Sequence, residues 1–234
     1  MDIHTGLSFS FNLRRQLGMD LEGMDLEGMD MEGMDMDTHD PSAMIACNPV
    51  STIRIQGIPG FCLRPFAATD APRLAKLAGV TSVVRYTLGI PLPYSVDAAA
   101  EWIAGLESRF SDGIELIYAL SLRGHLVGSI GLIFEPEHQR AEIGYWLGEP
   151  YRGRGLTRAA VQAACEHIFN ARKITRVYGL CFPENTASHA VLRGAGFRRE
   201  GKLRAHIVKD GRAEDVVVFA RTAARSKRRP APTY

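Results

Sequence analysis

No stretch of this 234-residue chain approaches the roughly 20 consecutive apolar residues that a bilayer-spanning helix needs, so a membrane-spanning helix is excluded. The N-terminus also lacks the basic segment, apolar stretch and small-residue cleavage site of a secretory signal, and a cytoplasmic protein is expected. Cysteine is scarce. Cys47, Cys62, Cys165 and Cys181 show neither C-x-x-C spacing nor histidine at metal-ligand intervals, so no metal is predicted and a disulfide scaffold is excluded. Cys165 and Cys181 lie in apolar segments and read as small buried hydrophobes.

Aromatic residues are absent from 17–37, where the pentapeptide LEGMD occurs twice, followed by MEGMD and ragged copies. With glycine every five residues and many acids, such a repeat cannot bury enough surface to offset its ordering entropy, and disorder is predicted. Residues 1–48 carry ten acidic side chains against Arg14 and Arg15, a net of −8, so on a chain of net +2 the remainder is +10. A basic body suits an anionic ligand or a polyanionic surface. The organisation read from these shifts is an acidic leader over 1–48, a linker over 49–59, one domain over 60–221 and a basic tail over 222–234.

What the domain does have is a sharp local pattern at 141–170. An apolar run with Tyr145, Trp146 and Leu147 reads as a buried strand, ended by Gly148 and Pro150. From Thr157 onwards Ala160, Val161, Ala164 and Ile168 recur at helical spacing. Between strand and helix lie Gly153 and Gly155, where several backbone N–H groups can converge on an anion at a helix N-terminus.

Around this centre the pattern predicts a strand at 61–66, and a helix capped by Thr69 or Asp70 with Pro72 in its first turn. A proline-rich loop at 87–94 and a helix capped by Ser95 follow, the helix lined by Ala99, Ile103, Leu106 and Phe110. Strands at 115–122 and 126–134 precede the central strand. After the central helix come a strand at 174–182, a short helix at 186–193 closed by Gly194 and Gly196, and a hairpin turned at Asp210-Gly211.

The loop Arg152-Gly153-Arg154-Gly155-Leu156-Thr157 resembles the [Q/R]-x-x-G-x-[G/A] pyrophosphate loop of the GNAT superfamily of acyl-CoA-dependent N-acetyltransferases, with Thr157 standing where glycine or alanine is usual. The order β-α-α-β-β-β-loop-α-β-α-β-β is similar to that superfamily over 60–221. Pro91-x-Pro93-Tyr94 with Trp102 on the next helix, Ile143-Gly-Tyr-Trp146, and Asn185-x-x-Ser188 followed by Gly196-Phe197 narrow the resemblance to the RimJ/RimL-like ribosomal-protein N-acetyltransferases. The resemblance implies an α+β fold with a mixed, mostly antiparallel sheet of about seven strands, splayed in the middle and covered by helices on both faces. It also implies acetyl-CoA as cosubstrate and direct transfer to a primary amine. The acceptor is a protein N-terminus, a ribosomal protein included, or a small molecule; no membrane or nucleic acid is required, and either a monomer or a homodimer fits. A different class of function is a catalytically weak CoA-binding module that acts through protein partners.

The resemblance assigns coenzyme contacts to Tyr145, Trp146, Leu147, Arg152, Gly153, Arg154, Gly155, Leu156, Thr157 and Asn185. Within that set the Tyr145 and Trp146 side chains read as core packing, Arg154 equally as a solvated surface residue, and Asn185 also as a helix cap. Ser188 is the expected hydrogen-bond donor to the leaving thiolate, because the tyrosine that many relatives place one turn later is Leu192 here. Glu142 is the candidate base, with pairing to Arg140 or a neighbouring arginine as its alternative. Tyr94, Trp102 and Asp215 are the acceptor-side candidates. His125, His189 and His206 read as surface or core residues.

Overall fold

The structure is a computed structural model that describes residues 51–111, 113, 115–171 and 174–223. The acidic leader and nearly all of the basic tail lie outside these residues. The elements in chain order are β1 (Ile53–Arg54), β2 (Phe61–Arg64), α1 (Ala71–Ala78), α2 (Thr81–Val84), α3 (Val96–Ala104), α4 (Leu106–Ser111), β3 (Glu115–Leu122), β4 (His125–Glu135), β5 (Arg140–Leu147), α5 (Leu156–Ala171), β6 (Arg176–Cys181), α6 (Thr186–Gly194), β7 (Arg198–Lys209) and β8 (Arg212–Thr222).

The strands form one eight-stranded sheet in the order β1-β2-β3-β4-β5-β6-β8-β7. Every neighbouring pair is antiparallel except β5 and β6. The strand beyond the seven expected is β1, two residues from the segment read as a linker that pair with Cys62 and Leu63. A bend and a turn separate it from β2, which hides so short a strand from any pattern of alternation.

Helices cover both faces, as alternation along the strands requires. Ile143 and Leu147 of β5 pack with Leu156, Ala160, Val161, Ala164 and Ile168, the apolar stripe of α5. Trp146 points the other way, into a second cluster with Leu74, Ala78, Ala99 and Trp102 of α1 and α3. A third cluster joins Leu180, Phe182, Ile207 and Val216 to Tyr86 and Leu88, so the last hairpin is tied to the segment after α2.

Three local differences from the sequence reading have physical causes. Asp70 stands at the cap position of α1, but its carboxylate binds the Arg64 guanidinium at 2.7 and 2.8 Å and the Ala67 N–H at 2.9 Å instead of a helix N–H. The single helix expected over 95–110 is divided at Gly105, where Arg109 folds back to donate to the Trp102 carbonyl at 3.2 Å. The final hairpin is longer than its alternation suggests. Asp210 and Gly211 at φ 49° and 74° give the tight turn that twisted strands favour, and a register shift between Leu203 and Ile207 interrupts the pattern.

Candidate active site

The site begins where a sheet ladder stops. Strands β5 and β6 are paired at Arg140 with Arg176, Ala141 with Val177 and Glu142 with Tyr178, and nowhere beyond. Yet β5 runs on to Leu147 and β6 to Cys181. The N–H and C=O groups along the diverging edge therefore face a gap instead of a partner strand.

Strand geometry identifies those groups. Gly148 N–H donates to Val127 O at 2.8 Å, and the register of β5 with β4 is unbroken from Gly128–Leu147 to Glu135–Arg140. Even-numbered residues of β5 thus direct their backbone at β4, and odd-numbered ones at β6 or, past Glu142, at the gap. Of Trp146 and Leu147, both of which the resemblance assigns to coenzyme contact, Leu147 directs its backbone at the gap, whereas the Trp146 amide belongs to the β4 ladder. Tyr145 directs its backbone at the gap as well.

The gap opens into a cleft of about 620 Å³, walled on one side by α2 and the residues after it, and on the other by α6. At its mouth is the glycine loop. Gly153 and Gly155 adopt φ of 78° and 74°, a region in which other residues are strained, and an added Cβ on either would meet no atom within 4 Å. Gly155 accepts the first helical bond, from Ala159 N–H at 3.1 Å. It is therefore the N-cap of α5, and the N–H groups of residues 155–158 have no carbonyl within the helix to bind. All four residues line the cleft, and the helix dipole adds positive potential there. Thr157 sits in the first turn and lines the cleft.

Arg152 lines the cleft, but its guanidinium is engaged as a brace, donating from Nε to Leu147 O at 3.1 Å and from Nη2 to Ser82 O at 3.2 Å. It ties the glycine loop to the end of β5 and to α2. Arg154 is exposed at the rim. Lys209 donates to Val84 O at 3.0 Å and Thr87 O at 2.8 Å, which fixes α2 and the residues after it against the last hairpin.

Asn185 is the N-cap of α6: its Oδ1 accepts from Ser188 N–H at 3.1 Å. That bond fixes the amide's orientation and leaves the Nδ2 donors unused by the helix. Ser188 Oγ lies 2.7 Å from the Tyr145 hydroxyl and 3.2 Å from Cys181 Sγ. Burial pushes the Tyr145 phenol well above its ordinary pKa and the Cys181 thiol up to about 11, so both remain protonated at neutral pH.

The structure thus brings together Tyr145, Trp146, Leu147, the loop 152–157, Asn185 and Ser188. Glu142 stands apart. It is 2% exposed, at the last paired position of β5, with its carboxylate 3.4 Å from the Tyr178 hydroxyl, which donates to Glu135 at 2.6 Å. Arg140, its expected partner, binds Glu135 at 2.6 Å instead. Nor do the acceptor-side candidates line the cleft. Tyr94 packs against Gly79 and the α1–α3 cluster, where burial raises its phenol to about 12. Trp102 is 6% exposed, edge-on to Phe66 at 5.2 Å. Asp215 pairs with Lys202 at 2.6 Å and accepts the Ala205 N–H at 2.8 Å, holding the β7 irregularity. Sequence reasoning missed Ser82, Val83 and Tyr86, which wall the cleft from a segment without a motif, read Thr87 only as the start of the proline-rich loop, and missed Cys181 as a wall residue. For Cys181 a signal existed, since it closes the strand that leads into Asn185-x-x-Ser188.

Comparison with known proteins agrees with this geometry. The chain is 33% identical over 127 residues to an uncharacterised N-acetyltransferase, p20, of Bacillus licheniformis, covering 48% of this chain and 71% of that one. It is 31% identical over 110 residues to the ribosomal-protein-serine acetyltransferase of Escherichia coli, covering 47% and 62%. Mycobacterium smegmatis RimJ, solved in complex with CoA-disulfide, superposes with a TM-score of 0.64 at 27% identity over 74% of this chain and 88% of that one. Residues 61–198, more than half of the sequence, match the acetyltransferase (GNAT) domain, and the chain belongs to that family.

Proposed function

We propose that this acetyltransferase uses acetyl-CoA and moves the acetyl group directly to a primary amine, the α-amine of a protein N-terminus. The observation that carries the reading is the parting of β5 from β6 past Glu142, with a glycine-turned helix N-terminus at the mouth of the gap. A diphosphate is the group that such a mouth suits: the N–H groups of residues 155–158 would hold it, with Thr157 Oγ and the Asn185 amide as further donors. The unpaired edge of β5 would hold the thioester arm, and the Leu147 N–H would polarise its carbonyl. The protein acceptor is supported by the relatives whose names specify ribosomal proteins.

In the transfer the amine nitrogen attacks the thioester carbon, a C–N bond forms, the C–S bond breaks with its electron pair on sulfur, and one amine proton passes to water. An α-amine has a pKa near 8, so a useful fraction is neutral at pH 7 and no base in contact with it is required. This agrees with the burial of Glu142 outside the cleft. The leaving thiolate, whose conjugate acid has a pKa near 8.5, needs a hydrogen bond more than a proton. Ser188 is the donor for it.

The test is thiol release from acetyl-CoA against N-terminal peptides, polyamines, amino acids and aminoglycosides, with calorimetry for CoA itself. Peptides with a free α-amine should support turnover, and their N-acetylated forms should not. Binding of CoA without turnover on any amine would favour the non-catalytic module instead. No heat with CoA would remove the basis of both.

A further inference from the structure

Ser188 Oγ has one proton to give and two lone pairs to fill. Two protonated groups stand within bonding distance of it, the Tyr145 hydroxyl at 2.7 Å and the Cys181 thiol at 3.2 Å. Serine in the first turn of a helix often turns back to a carbonyl, but among the described residues these are the bonds that Ser188 Oγ makes. Its backbone N–H is already committed to Asn185.

The direction of the short bond follows from acidity. A phenol is intrinsically more acidic than an alkyl alcohol, burial raises the pKa of both, and the phenol stays the better donor of the pair. The Tyr145 hydroxyl also lies 3.3 Å from the Ser188 carbonyl, but it has a single proton, and the 2.7 Å contact is the stronger bond. With Tyr145 donating, and the Cys181 thiol donating weakly, both lone pairs of Oγ are occupied. The one proton left over is Ser188's own, on a residue that lines the cleft. Accepting two bonds also polarises the hydroxyl and strengthens it as a donor.

Resting on the proposed acetyl transfer, we propose that Tyr145 is a positioning residue for it: by donating to Ser188 Oγ it leaves the Ser188 proton directed at the sulfur of the departing coenzyme. The proton is shared, not transferred. Full transfer would leave a serine alkoxide, or through the relay a tyrosinate in a buried site, and both are costly beside a thiolate. Tyr145 has a second consequence. It spans from β5 to α6 over the gap that β6 has vacated, so the same bond sets the distance between the carbonyl-polarising edge and the thiolate donor.

The test is a double-mutant cycle with Tyr145→Phe, Ser188→Ala and the double variant, using acetyl-CoA and a peptide amine at saturation. Phenylalanine keeps the ring and its packing and removes only the hydroxyl. Tyr145→Phe should lower kcat about 10- to 100-fold, the size expected for a hydrogen bond to a charged group, with the KM for acetyl-CoA within about twofold. Ser188→Ala should lower kcat at least as much, and the double variant should be no slower than Ser188→Ala. The second arm compares acetyl thioesters of N-acetylcysteamine and of thiophenol by kcat/KM. The aryl thiolate needs little help to leave, so with it the Tyr145→Phe defect should shrink several-fold. Losses in the double variant that multiply, or a Tyr145→Phe defect equal for both thiols, would overturn the inference and leave acetyl transfer standing. Absence of turnover by the wild-type chain on every amine would overturn the proposed function itself, and this inference with it.

Discussion

Replacing Gly155 separates backbone conformation from charge at the anion seat. At φ 74° with no atom within 4 Å of an added Cβ, the position excludes side chains by conformation and not by crowding. Asparagine and aspartate tolerate this region better than other residues and have nearly the same shape. Gly155→Asn should therefore destabilise the fold by about 1 kcal/mol, and Gly155→Asp by a similar amount. They differ in one negative charge within the turn whose N–H groups point at the seat. Even at about 8 Å, such a charge repels a dianion by about 1 kcal/mol in bulk water and by about 4 kcal/mol at an effective dielectric of about 20. Aspartate should thus bind CoA at least about fivefold more weakly than asparagine in titration calorimetry at low salt. The difference should narrow at about 1 M salt, where the screening length falls to about 3 Å. Equal affinities for the two variants, with matched melting temperatures, would show that no anion sits on the N-terminus of α5.

Two further outcomes are expected. Asn185→Ala removes both the α6 cap and the amide donor, and should cost about 1 kcal/mol of stability together with a rise in the KM for acetyl-CoA; Asn185→Asp should restore the melting temperature but not the KM. Burial by itself would raise the Asp70 pKa, but the Arg64 and Ala67 bonds outweigh it and hold the carboxyl below its ordinary value. Its stabilising contribution is therefore complete above the unfolded-state value of about 4 and is lost as pH falls through the folded one. The melting temperature of the wild type should exceed that of Asp70→Asn at pH 6, and the gap should narrow steadily below pH 4.

Much of the site was legible because it is local. The glycine pair, the turn it makes and the helix it opens occupy consecutive residues, and the backbone demands of Gly153 and Gly155 are written in residue type. The same holds for Asn185, whose cap on Ser188 spans one helical turn, and for the Asp210-Gly211 turn. Where chemistry is assembled across elements, local pattern was silent. Trp146 and Leu147 were indistinguishable as N–H donors until the register with β4 showed which amide the sheet already uses. Glu142 sits on the central strand as expected, one residue before the strands part, and that single residue decides between a cleft wall and a buried position beside Tyr178. Tyr94, Trp102 and Asp215 were placed on the acceptor side by motif, and packing assigns them to a helix pair, a core cluster and a strand irregularity.

The sequence by itself determined the order of the strands and helices apart from the two-residue β1 and the short α2, the anion-binding turn and the helix cap that presents Ser188, because each depends on dihedral preferences and hydrogen bonds within a few residues. The tertiary structure alone decided where β5 leaves β6, which amides face the opening, and that Tyr145, Cys181 and Ser188 meet around one oxygen. Those facts depend on strand register and on distances between segments more than thirty residues apart, and no local preference encodes them.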